Sequence, residues 1–192
     1  VLLDRPAPTP VVSYTIVHRG AGGGVVITAS HNPPQWNGFK YKPDYGGSAS
    51  PEVVEALEAI IGRLESEGPS PRITLEEAAK RGLLERPDPR PAYLEQVARL
   101  VDLEGIRKAG ISIVADAMYG AGAGYLPALL SGGATRLVEL HSERNPVFPG
   151  MGQPEPVAHN LPALFQQVVE RRADVGVALD GDADRVGASD EH

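Results

Sequence analysis

The sequence of 192 residues contains no cysteine, so it carries neither a disulfide framework nor a thiolate metal site. That fits a reducing compartment, and the cytoplasm is the expected location. Aromatic residues are scarce at 5%, with one Trp and three Phe, which leaves the core to Val, Leu, Ile and Ala. No apolar run approaches the ~20 residues of a membrane-spanning helix. The opening Val1-Leu2-Leu3-Asp4-Arg5-Pro6 lacks the charged start and long apolar core of a secretory signal. Positive charge is in the minority: 18 Lys and Arg face 25 Asp and Glu, a net −7. A nucleic-acid or anionic-membrane partner would want the opposite sign. A few local cations could still hold a small phosphorylated ligand. Glycine and proline, at 22 and 18 residues, are abundant and predict many tight loops.

The length allows one domain or two small ones. The chain begins without Met inside an apolar run and ends at Asp190-Glu191-His192, just after a strand-like segment. We therefore expect a piece of a longer chain. Thr9 as a capping hydroxyl before Pro10 predicts a helix ending at Gly20. Val25 to Ala29 reads as a buried strand, and Gly38 to Lys42 as a short one. Ser50-Pro51 opens a helix whose apolar positions Val53, Val54, Leu57, Ile60, Ile61 and Leu64 fall at helical spacing. Thr74-Leu75-Glu76-Glu77 matches a capping box for a shorter helix. Arg86 to Pro91 is a proline-rich candidate linker. Beyond it come a helix marked by Tyr93, Leu94, Val97, Leu100 and Val101, then strand 111–115, helix 125–131, strand 136–140, helix 161–172 and strand 175–179. Alternating strands and helices predict parallel βαβ units.

The sharpest chemical signal is Asp180-Gly181-Asp182-Ala183-Asp184-Arg185, directly after an apolar strand. Three carboxylates at alternate positions repel one another unless a cation neutralises them. Their hard oxygens suit Mg²⁺ or Ca²⁺. A solvated acidic turn is the plain structural alternative. An EF-hand would place Asp180, Asp182, Asp184 and Glu191 at its first, third, fifth and twelfth positions. Its sixth position, however, is Arg185 instead of Gly, and the flanks do not read as helices. An aspartyl-phosphate phosphatase would use Asp180 as nucleophile and Asp182 as acid, which leaves Asp184 without a task.

The second signal is Thr28-Ala29-Ser30-His31-Asn32-Pro33-Pro34. Ser30 could be a nucleophile at a strand exit, or Ser30 and Asn32 could simply build a turn. Serine hydrolysis is disfavoured: there is no G-x-S-x-G elbow, and adjacent residues in extended backbone face opposite ways, which turns His31 from Ser30. A serine that carries a phosphate needs no such base, because a metal can polarise it.

Those two segments, with Thr9-Pro10, Asn37-Gly38-Phe39-Lys40 and Gly46-Gly47 in the same order, resemble the α-D-phosphohexomutase superfamily of phosphoglucomutases and phosphomannomutases. The resemblance implies an α/β fold of three-layer αβα units with mixed or parallel sheets. Residues 1–90 would be the later part of a phosphoserine-bearing first domain, and 91–192 a second domain ending in the metal loop. It implies that Ser30 carries the phosphoryl group and that Asp180, Asp182 and Asp184 bind Mg²⁺ together with a phosphate oxygen on Ser30. Arg185 would contact phosphate, while His31 and Lys40 would serve proton transfer or charge stabilisation. The implied reaction moves a phosphate between C1 and C6 of a hexose phosphate through a bisphosphorylated sugar. Family members have four domains. Their sugar-recognition loop and last-domain phosphate clamp do not occur in these 192 residues, so this piece alone is expected not to turn over. Glucose is favoured over mannose by the Gly46-Gly47-Ser48-Ala49 segment. A Ca²⁺-binding module remains the reading from a different class.

Other motifs carry less. Gly120-Ala121-Gly122-Ala123-Gly124 sits between strand and helix as a dinucleotide loop would, but lacks the third glycine and reads as a tight turn. Gly22-Gly23-Gly24 lacks the P-loop ending. His18, His141 and His159 are isolated, and 145–156 is a long loop.

Overall fold

The computed structural model describes residues 1–190, so Glu191 of the EF-hand reading lies outside the described residues. The first half holds α1 (Thr9–His18), β1 (Gly23–Ile27), β2 (Phe39–Pro43), α2 (Pro51–Glu67) and α3 (Leu75–Lys80). Strands β1 and β2 form an antiparallel ribbon in which Val25 faces Tyr41 and Ile27 faces Phe39. The expected strand is present, yet it is not buried. Only Val26 is enclosed, while Val25 is 47% and Ile27 63% exposed. A two-stranded ribbon packs one face on α1, so alternate residues look outward. The packing is close: a Cβ at Gly24 would stand 2.7 Å from Ile16 Cδ1.

The Thr9 cap also needs correction. The N-cap of α1 is Pro8, and Thr9 is already helical. Its hydroxyl is drawn off to a carboxylate 173 residues away. The long helix α2 forms as expected, but its apolar stripe is uncovered, and no residue of α2 is buried. Ser50 is its N-cap without a side-chain cap bond. In α3 the Thr74 hydroxyl accepts the Glu77 N–H at 3.1 Å, as the capping box requires. The proline-rich segment is clasped by the opening residues: Asp4 N–H donates to Pro87 O at 3.1 Å, and Arg5 pairs with Asp88 at 3.4 Å.

The second half contains α4 (Arg90–Leu100), α5 (Leu103–Lys108), β3 (Ser112–Asp116), α6 (Tyr125–Leu130), β4 (Arg136–Leu140), α7 (Pro162–Arg171), β5 (Val175–Leu179) and β6 (Val186–Ser189). The sheet order is β4-β3-β5-β6. The first three strands are parallel, and β6 is antiparallel to β5. Helices α5 and α6 cover one face around Leu103, Ile113 and Leu130. Helix α7 covers the other, where Val114, Met118, Leu164, Val168 and Ala178 pack together. Ile113 and Val114 thus serve opposite faces of the same strand. This is the three-layer αβα unit, with a mixed sheet. Helix α5 was not anticipated; its signal is Asp102, whose carboxylate accepts the Gly105 N–H at 2.9 Å.

Leu164 is fully enclosed between α7 and the sheet. Truncation to Ala should cost about 2–5 kcal/mol, read from urea denaturation. A change below about 1 kcal/mol would mean that this face is not closely packed.

The glycine loop after β3 is a structural turn. A Cβ at Gly120 would meet Gly181 O at 2.7 Å, and one at Gly122 would meet Leu179 Cδ1 at 2.7 Å. The Gly124 N–H, at the start of α6, is taken by both Glu139 carboxylate oxygens at 3.0 Å. The Arg90 guanidinium caps the Gly124 carbonyl and lies 5.0 Å from the centre of the Tyr125 ring.

Candidate active site

The acidic segment is the connection between β5 and β6, at the carboxyl end of a parallel strand, where open α/β sheets place ligands. Strands flank it on both sides, so it is not an EF-hand loop. Its turn is built on Asp180. The Oδ1 atom of Asp180 accepts the backbone N–H groups of Asp184 at 3.0 Å and Arg185 at 3.1 Å. Ala183 takes a left-handed φ of 54° to close the loop.

The serine loop leaves β1 in the opposite half of the molecule. Ser30 has φ 53°, so it is not in extended backbone, and the alternation that would turn His31 away from it does not hold. A non-glycine residue in this region is uncommon and marks a conformation imposed by its surroundings. The Ser30 N–H donates to Thr28 Oγ1 at 2.7 Å. The Ser30 Oγ then lies 3.2 Å from both Asp180 Oδ2 and Asp182 Oδ1. One hydroxyl has one proton and cannot satisfy two carboxylates at once. The two loops also touch through backbone: a Cβ at Gly181 would stand 2.6 Å from Ser30 O. Gly181→Ala should therefore push the acidic loop off the serine loop and destabilise the chain by about 1–3 kcal/mol. Denaturation midpoints check this, and an unchanged midpoint would mean that the loops are not in contact.

Asp180, Asp182 and Asp184 each offer an oxygen within 4.8 Å of the others. Asp180 and Asp182 are buried. Burial, joined by the charge of Asp182, pushes the Asp180 carboxyl up to about 6. Asp182 goes the other way. Burial works against its charge, but hydrogen bonds from Lys40, Thr9 and Thr28 hold it below the usual carboxylate range. Lys40 Nζ sits 3.0 Å from Asp182 Oδ2 and 3.4 Å from Asp184 Oδ2. Burial lowers the Lys40 ammonium, but those two partners outweigh it and hold it above the ordinary lysine value. Lys40 is thus a fixed cation.

The remaining expected residues are less engaged. Arg185 reaches Asp184 Oδ1 only at 3.9 Å and is half exposed. His31 is half-buried, and its Nδ1 has no hydrogen-bond partner among the described residues. The sequence reading missed Thr9 and Thr28 as partners of Asp182, and it missed Lys42. Lys42 is buried two positions beyond Lys40, hence on the same face of β2, and its ammonium is lowered by burial and by Lys40. Period-2 spacing from Lys40 along β2 is the one signal that could have found Lys42. Beside Ser30 opens a cavity of about 750 Å³, lined among others by Trp36, Arg86, Tyr119, Arg144 and Asp182.

Two family models match in chain order: phosphoglucomutase/phosphomannomutase, alpha/beta/alpha domain I, over residues 1–68, and domain II over residues 91–192. Among curated relatives, a phosphoglucomutase/phosphomannomutase of Thermococcus kodakarensis is 37% identical over 97% of this chain and 39% of its own length. A protein of Pyrococcus horikoshii, provisionally assigned as a phosphoglucosamine mutase, is 37% identical over 97% of this chain and 38% of its own. A crystal structure from Thermus thermophilus, provisionally assigned as a phosphomannomutase, superposes with a TM-score of 0.82 at 35% identity, covering 97% of this chain and 40% of that one. The chain spans about 38% of the length of the curated relatives it matches. No comparison supports a phosphatase. With both domain models matched in order, and with the serine loop of one against the acidic loop of the other, the chain belongs to the phosphoglucomutase/phosphomannomutase family.

Proposed function

We propose that this chain carries the phosphoryl-donor and metal-binding halves of a phosphohexomutase, which moves a phosphate between C1 and C6 of a hexose phosphate. Residues 1–90 would supply the phosphoserine and 91–192 the metal loop, as two domains. The observation that carries this reading is the Ser30 hydroxyl at 3.2 Å from two carboxylates of the acidic loop. A hydroxyl held there can bear a phosphoryl group over a shared cation.

The donor set fits Mg²⁺. Asp180, Asp182 and Asp184 supply clustered hard oxygens, and a phosphate oxygen on Ser30 would add a fourth. Mg²⁺ bound there would withdraw charge from the phosphoryl group. The chain's own residues do the rest. Asp180 turns Oδ1 to backbone N–H groups and keeps Oδ2 toward Ser30. Lys40, kept charged by Asp182 and Asp184, offsets charge on the equatorial oxygens. Its raised value suits charge stabilisation and not proton removal, which leaves His31 as the proton carrier. Arg185, half exposed at the rim, is free to meet a phosphate.

In the forward half-reaction the bond between phosphorus and Ser30 Oγ breaks, and phosphorus bonds to a sugar hydroxyl oxygen. That hydroxyl loses its proton to a base, and Ser30 Oγ regains one. The bisphosphorylated sugar then reorients and returns its other phosphate to Ser30. The cavity beside Ser30 has the size of a small-ligand site and four arginines, Arg5, Arg19, Arg86 and Arg144, in its wall. Turnover would require the parts of the relatives' length that this chain does not span.

The sugar to test first is glucose, against mannose and against glucosamine, the sugar in the name given to the Pyrococcus relative. The glycines that favoured glucose are accounted for by packing: Gly46 has φ 73°, and a Cβ there would collide with Ser13 O. The test is incubation with hexose 1,6-bisphosphates followed by peptide mapping. Label on Ser30 supports the mutase, whereas label on Asp180 would be phosphatase chemistry.

A further inference from the structure

We infer that Thr9 and Thr28 are positioning residues that hold the plane of the Asp182 carboxylate, so that one of its two oxygens stays presented to Ser30 and its cation. The inference rests on the Mg²⁺ reading above and concerns how that site is kept in shape.

The two oxygens of Asp182 live in different surroundings. Oδ2 accepts three donors: Thr9 Oγ1 at 2.8 Å, Lys40 Nζ at 3.0 Å and Thr28 Oγ1 at 3.1 Å. With three donors its lone pairs are fully used, and it has no room left for a cation. Oδ1 meets the Ser30 hydroxyl, at 3.2 Å, as its one hydrogen-bond donor among the described residues. A half-turn merely exchanges two equivalent oxygens, but a part-turn, which the broad terminal torsion of a free Asp side chain allows, would carry the oxygen that faces Ser30 out of line with the cation. Here the rotation would break three hydrogen bonds in a buried place, where unpaired polar groups are costly.

Each threonine adds something that Lys40 cannot. Thr9 holds Asp182 twice, through its hydroxyl and through its own N–H, which donates to Asp182 O at 2.8 Å. It is 5% exposed, sits at the start of α1, and so ties the acidic loop to a rigid element of the other half. Thr28 links the two loops in series. Its hydroxyl accepts the Ser30 N–H at 2.7 Å and donates onward to Asp182 Oδ2. The backbone of the phosphoryl-bearing residue and the orientation of a metal ligand are thereby set by one hydroxyl. Lys40 is a long chain with 37% of its side chain exposed. A threonine hydroxyl, in contrast, stands one bond from a stiff β-branched carbon.

Valine has nearly the shape of threonine and lacks the hydroxyl, so Thr9→Val removes the bond and keeps the packing. Removing a group that orients a metal ligand typically weakens the metal by about 10–100-fold. Calorimetric titration of this chain with MgCl₂ should therefore show Thr9→Val weakened at least about tenfold. Thr9→Ser, which restores the hydroxyl, should fall within about threefold of the unaltered chain. Thr15→Val serves as control, since the Thr15 hydroxyl donates to Val11 O within α1, away from Asp182, and should leave Mg²⁺ affinity unchanged. A merely structural Thr9 would lower the metal-free melting temperature without moving the Mg²⁺ constant. If Thr9→Val does not fold, the comparison is made on Thr28→Val, for which the same loss is expected. A folded Thr9→Val or Thr28→Val that binds Mg²⁺ within about twofold of the unaltered chain overturns the inference. Failure of the unaltered chain to bind Mg²⁺, or binding indifferent to Asp184→Asn, would overturn the metal reading itself. The two failures are therefore told apart by the unaltered chain.

Discussion

Ser30→Ala should abolish covalent phosphate on this chain and lower phosphoryl transfer by the full-length protein about 10⁴-fold or more, the scale of losing a nucleophile. No other side chain can take over. Of the two carboxylates 3.2 Å from the serine, Asp180 has one oxygen bound to two backbone N–H groups, Asp182 has one oxygen held by three donors, and both are buried. Folding should survive, because Ser30 contributes a left-handed turn and a hydroxyl and no core packing. The left-handed φ of 53° strains alanine and serine alike, since both carry a Cβ. Intact-mass analysis after incubation with a hexose bisphosphate reads the result. Phosphate retained on Ser30→Ala would remove the serine from the mechanism.

Asp180→Asn should act in opposite directions with and without metal. The Asp180 carboxyl is raised to about 6 by burial and by its neighbour Asp182. A raised acid binds more protons in the folded state than in the unfolded one, so stability falls as pH rises through about 4 to 6. Above about pH 6 the charged Asp180 is fully destabilising. Asparagine keeps an oxygen for the N–H groups of Asp184 and Arg185 and carries no charge. The metal-free Asp180→Asn chain should thus be more stable at about pH 7.5, by about 1–3 kcal/mol, and should lose that advantage below about pH 4. With Mg²⁺ the sign reverses, because a charged ligand has been removed and affinity should fall about 100-fold or more. In the unaltered chain Mg²⁺ affinity should be level at about pH 7–8 and decline about tenfold per unit below about pH 6, as protons compete for Asp180. Melting curves across pH, with and without MgCl₂, check all three statements. A metal-free Asp180→Asn chain less stable at about pH 7.5 would contradict the crowding of carboxylates on which the site depends.

What could be read from the sequence follows a physical line. Strands β4 and β5 have the bounds expected; β5 is the continuous apolar run of a parallel strand flanked on both sides, whereas the edge strand β4 keeps its bounds although Arg136 and Glu139 interrupt its apolar residues. The αβα layering followed from their alternation with helices. The helix over 51–67 was legible from its spacing, but the exposure of its stripe was not, since periodicity says which residues share a face and not what that face meets. The same limit applies to Val25 and Ile27, read as buried and found outward on a ribbon.

The site divides in the same way. Ser30 and the three aspartates announce themselves because each cluster is local and chemically costly without a partner. The ties that shape it are not local. Thr9 resembled a helix cap, since a threonine before proline is one locally; its hydroxyl serves a carboxylate 173 residues on instead. Thr28 meets the same carboxylate across 154 residues. Lys42 looks like an ordinary strand lysine until the fold buries it.

The central claim is that Ser30 and the three aspartates share one cation, with the phosphoryl group as a ligand. Titrating this chain with MgCl₂ before and after phosphorylation at Ser30 tests it most directly. Phosphorylation should tighten Mg²⁺ binding about tenfold or more, and Asp184→Asn should erase the gain. Equal affinity of the two forms, or a gain that survives Asp184→Asn, would show that the serine and the acidic loop do not form one site.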